Sequence, residues 1–104
     1  MAKLDSLDLP DGIHEEQEGH ELVRFWISSG VDHVSLNIGL FDNDKEPSVW
    51  GTVAADIAKH AVRAMLQDDP TRDEATLYAE IERAFSKRLK AKANFEGQLR
   101  GEKH

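Results

Sequence analysis

The sequence predicts an α+β fold in the order ββαα: an N-terminal β-hairpin packed against two antiparallel C-terminal α-helices. Three observations carry this. Apolar residues recur at every second position through residues 23–27 and again through 34–40, the period of a half-buried strand. From about Ser48 to Gln67 the apolar residues change to helical spacing. A second helical stripe follows the breaking sequence Asp68-Asp69-Pro70.

The chain has 104 residues, room for one domain. Residues 1–20 read as an acidic arm, 21–94 as a single α+β domain and 95–104 as a polar tail. The arm holds Asp5, Asp8, Asp11, Glu15, Glu16 and Glu18 against sparse apolar residues. Such a segment buries too little to offset its ordering entropy, so partial disorder is expected there.

In the hairpin, Val23, Phe25 and Ile27 alternate with Arg24 and Trp26, and Val34, Leu36, Ile38 and Leu40 alternate with Ser35, Asn37 and Gly39. Ser29-Gly30 between them is a turn signal. A two-residue loop there pairs Phe25 with Val34 and Val23 with Leu36, which places every apolar side chain on one face. A four-residue loop, Ser29 to Asp32, obeys the same parity. An odd loop sets apolar against polar positions and is disfavoured. Leu22, Phe25 and Trp26 also fit helical spacing, but the run is short and rich in strand-favouring types, which favours the hairpin. The second face holds Leu22, Arg24, Trp26, His33, Ser35 and Asn37, with Trp26 opposite His33 in the two-residue-loop register. Trp26 and Leu22 form a candidate interaction surface, to be covered by the arm or by a second subunit.

Residues 42–48 are a loop by composition. In the first helix Val53, Ile57, Ala61 and Ala64 make one stripe, flanked by Ala54, Ala58 and Met65, and Thr52, Asp56, Lys59, Arg63 and Gln67 make the polar face. Trp50-Gly51 at its start reads as an aromatic lock on the loop-to-helix junction. Thr71 and Glu74 have capping-box spacing and open a second helix over 72 to about 93. Its stripe is Leu77, Ile81, Ala84, Phe85 and Leu89, with Tyr78 alongside. A two-stranded sheet is marginal by itself, and its open edges make a homodimer reasonable.

The composition narrows the function classes. The absence of cysteine excludes disulfides, thiolate metal sites and cysteine nucleophiles, and it fits a reducing cytoplasm. A net charge of -7, from 20 acidic and 13 basic residues, opposes phosphate backbones, so no nucleic-acid partner is expected. The basic run Lys87, Arg88, Lys90 and Lys92 reads as a complement to its own helix dipole. The sequence shows no signal peptide and no bilayer-length apolar run, so no membrane partner is expected and the protein is placed in the cytoplasm. Phosphate-loop, nucleophile-elbow and dinucleotide motifs are missing, and no cofactor is expected. Asp42, Asp44 and Glu46 alternate as in a calcium loop, but Pro47 and Val53 stand where that loop requires glycine and glutamate.

One polar constellation remains. Asp56 and His60 are four apart and share a helix face. With His33 and Arg24 they form a candidate polar cluster, the basis of an alternative reading as a small-molecule or metal-dependent site. The two-histidine zinc spacing is absent, so no metal ligand is assigned. His14 and His20 lie in the arm, where ligands lack a fixed frame.

The segments Arg24-Phe25-Trp26-Ile27, His33-Val34-Ser35-Leu36, Trp50-Gly51 and Ala55-Asp56-Ile57-Ala58-Lys59-His60 resemble a small, mostly alphaproteobacterial family, domain of unknown function 5076. The resemblance covers roughly residues 20 to 90, with the arm and the basic tail outside it. It implies a bacterial origin and assigns no catalytic, ligand or metal residue. The reading is therefore a non-enzymatic interaction or regulatory module that acts as a homodimer or on another protein.

Overall fold

A computed structural model describes residues 3–14 and 17–91. Strands β1 (Val23–Ser28) and β2 (Val31–Leu36) form an antiparallel hairpin, followed by helices α1 (Glu46–Asp68) and α2 (Glu74–Lys90). The predicted ββαα order is therefore present. The polar tail 95–104 and Lys92 lie outside the described residues.

Parity sets the hairpin register. Val23 faces Leu36, Phe25 faces Val34 and Trp26 faces His33 across a two-residue loop. Ser29 and Gly30 both have positive φ, 54° and 74°, the signature of the type I′ turn whose twist matches the strands. The four-residue loop and the helical alternative for 21–27 are both displaced by this turn. One more rung follows the strands: the Asn37 backbone N–H donates to the Leu22 carbonyl at 3.0 Å, and Asn37 Nδ2 donates to the Glu21 carbonyl at 3.3 Å.

Helix α1 starts two residues earlier than the composition suggested. The Asp42 carbonyl accepts from the N–H of Lys45 at 3.0 Å and of Glu46 at 2.9 Å, which turns the chain into the helix ahead of Pro47. Proline is harmless in a first turn, where its missing N–H has no partner to lose. Glu46 then ties the junction together. Its Oε2 accepts from the Gly39 backbone N–H at 3.1 Å and from Trp50 Nε1 at 3.0 Å. The tryptophan locks the start of the helix as expected, and Glu46 is the acceptor that makes the lock.

The helix stops where the proline requires. Asp69 is extended (φ -145°, ψ 90°) and its N–H donates to the Met65 carbonyl, as a residue before proline must. The second cap differs from expectation. Thr71 is not the cap of α2, because its hydroxyl donates to Asp69 Oδ1 at 2.6 Å. Asp73 caps instead, accepting from the Thr76 N–H at 2.9 Å and the Thr76 hydroxyl at 2.7 Å. The helix begins at Glu74 and ends at Lys90, with Lys87, Arg88 and Lys90 in its last turn, as the dipole reading requires.

The buried line of α1 is rotated from the predicted stripe. Val62 is 1 % exposed, and Ala54, Ala58, Met65 and Leu66 are half-buried, as is Val53 of the predicted stripe, whereas Ile57, Ala61 and Ala64 are exposed. The residues named as flanks are thus the inner face. They surround Val62, which the larger side chain at Ile57 had masked in the pattern. Leu77 of α2, 4 % exposed, is the other buried apolar residue among those described.

β1 pairs with β2 and α1 touches α2, and neither strand comes within 8 Å of either helix between Cα atoms. The expected cover by the helices is missing at Phe25 and Ile27, which are 57 % and 68 % exposed, while Val23, Val34 and Leu36 on the same face are half-buried. Among the described residues, no helix is long and apolar enough to cross a membrane.

Candidate functional site

Cross-strand pairing defines the two hairpin faces. Val23, Phe25 and Ile27 share one face with Leu36, Val34 and Asp32, while Arg24, Trp26 and Ser28 share the other with Ser35, His33 and Val31. The face expected to be core is open: Phe25 is 57 % and Ile27 68 % exposed. Trp26 and Leu22, the residues singled out as an interaction surface, are only half-buried. The larger unpartnered apolar area thus lies on the face of Phe25 and Ile27. One signal in the sequence pointed there. Asp32 stands directly across from Ile27, and a carboxylate on a closed core face would be costly.

The helices carry a matching exposure. Along α2 the stripe residues are successively less covered: Leu77 is buried, Ile81 half-buried, Phe85 50 % exposed and Leu89 72 % exposed. Leu66, Arg63 and Lys59 of α1 share a shallow cleft with Glu74 and Tyr78 of α2, near the turn that joins the helices. Cover is therefore present at the turn and absent at the far end of α2. The arm runs beside β1, where Leu4, Leu7 and Leu9 line an open cleft of about 630 Å³ with Phe25, Trp26 and Ile27.

The polar candidates are not brought together. Arg24 Nη2 donates to Glu21 Oε1 at 3.0 Å, an exposed pair three residues apart that holds the arginine on its own strand. His33 is exposed on β2, and Asp56 and His60 are exposed on α1. No strand Cα lies within 8 Å of an α1 Cα. Among the described residues, no three His, Asp or Glu side chains group as a metal site would need. The two perturbed carboxyls lie at the helix turn. Hydrogen bonds from the Thr71 hydroxyl and N–H hold the Asp69 pKa below its ordinary value, and those from Thr76 do the same for Asp73. Both are explained by chain reversal and helix capping.

A solved structure shares this fold. It carries the description "Structure of a putative pyruvate dehydrogenase from the photosynthetic bacterium Rhodopseudomonas palustrus CGA009". The match has a TM-score of 0.68 and 22% identity, and covers 89% of this chain and 92% of that one. At that identity the likeness concerns the fold alone. No curated protein is detectably similar in sequence. The family match is more extensive than the motif resemblance, taking in residues 6–93 and with them part of the acidic arm. The chain belongs to the family described as domain of unknown function 5076.

Proposed function

We propose that the protein is a non-enzymatic interaction module of the bacterial cytoplasm that acts as a homodimer. The observation that carries this is the unpartnered apolar surface on both halves of the fold: Phe25 and Ile27 on the hairpin, Ile57, Phe85 and Leu89 on the helices. Large exposed apolar side chains grouped on a strand or helix face mark interaction sites in soluble proteins. The lack of cysteine supports the cytoplasmic placement, and the family resemblance supports a bacterial one. The description attached to the solved neighbour does not come over, since fold likeness alone does not transfer chemistry.

Light scattering coupled to size exclusion tests the reading. A species of twice the 11.7 kDa chain mass at micromolar concentration is expected. A monomer across the whole concentration range refutes the homodimer and leaves a different protein as the occupant.

A further inference from the structure

We infer that two copies dock reciprocally, the hairpin face of each resting on the open end of α2 in the other. This rests on the homodimer reading and adds its geometry. The two apolar faces that ordinarily close an α+β core on each other are both present in one chain, yet they do not meet there. A second copy offers each hairpin a helical face and leaves the Glu46 bonds to Gly39 and Trp50 intact, and a two-fold axis repeats the contact so that both faces are covered.

Charge sets the direction of docking. The carboxylate of Asp32 lies across from Ile27 on the apolar face, and Arg88 in the last turn of α2, three residues after Phe85 and four after Ala84, lies on the side of the apolar stripe. Placing Ile27 against Leu89 brings Asp32 to that cation. The opposite direction carries Asp32 toward the start of α2, where Glu74 and the capping Asp73 already sit. Opposite charges fix orientation across an interface, and like charges exclude the alternative.

The absence of cysteine makes the test clean. Two differently tagged chains, one Ile27→Cys and one Leu89→Cys, are co-expressed and treated with a short bis-maleimide, with light scattering run on the same samples. The expected product is a cross-linked dimer carrying both tags, formed roughly tenfold more than the like-tag product because the two thiols are held close. A dimer by light scattering with only Ile27–Ile27 product, or with no product, overturns the docking and leaves the homodimer standing. A double variant that closes within one chain, at monomer mass, overturns both. As a second arm, Asp32→Lys weakens the dimer about tenfold, and adding Arg88→Glu restores it. Failure of that rescue overturns the assigned direction.

Discussion

At the scale of single residues, the informative side chains are carboxylates that hold backbone. Asp73 accepts two bonds from Thr76 and thereby caps α2. Its pKa is lowered, so the stabilising contribution is present above its ordinary pKa of 3.8 and is lost as pH falls below that value. Two substitutions separate cap from charge. Asp73→Ala removes both and lowers Tm at pH 7 by about 5 °C. Asp73→Asn keeps a competent cap, so its Tm at pH 7 stays close to the parent, while the loss between pH 4 and pH 2.5 becomes shallower. Melts by circular dichroism across that range read both effects. Glu46 acts at the other junction. Glu46→Ala leaves the Trp50 indole N–H and the Gly39 N–H without their acceptor, at a cost of about 1–2 kcal/mol. In a Trp26→Phe background the same change shifts Trp50 emission to the red, as the indole exchanges a carboxylate for water.

At the scale of elements, turn chemistry decides the hairpin. Gly30 has φ 74° and open space around the position a Cβ would occupy. Gly30→Ala therefore meets no clash, and the whole cost is the left-handed backbone, about 1–2 kcal/mol. Ser29→Asn goes the other way: asparagine tolerates positive φ, and Asn-Gly is the preferred type I′ pair, so a gain of a few tenths of a kcal/mol is expected in urea titration. These same rules made the elements legible in the sequence. Alternation admits one parity, and Asp-Asp-Pro admits one place to end a helix. The cap of α2 was not legible at that level. Asp69, Thr71 and Asp73 all offer capping groups within five residues, and which hydroxyl serves which carboxylate is a matter of three-dimensional geometry. Nor was the inner line of α1 fully readable, because Ala54 and Ala58 are outweighed in a hydropathy pattern by the exposed Ile57.

At the scale of the whole molecule, the sequence pattern reveals which faces are apolar and does not reveal what covers them. Alternation marked Phe25 and Ile27 as a buried face, and helical spacing marked Phe85 and Leu89 in the same way. Both readings assumed that a face hidden from water is hidden by its own chain. The polar candidates His33, Asp56 and His60 depended on the same closure, and no strand Cα comes within 8 Å of an α1 Cα. A second copy as cover has a thermodynamic consequence that a monomer lacks. When unfolding turns one dimer into two free chains, mass action makes Tm depend on protein concentration. For a pair of chains of this length the shift is about 3 °C for each tenfold rise, and calorimetry between 5 and 500 μM reads it directly. The substitution Phe25→Ser sharpens the test. Removing an aromatic that stays in water changes little in a monomer, whereas removing one buried between copies costs on the order of 3 kcal/mol and moves the transition toward that of a dissociated chain. A Tm that is independent of concentration, together with an unshifted Phe25→Ser variant, would mean that the open faces of the hairpin and of α2 are tolerated by a monomer and await some other protein.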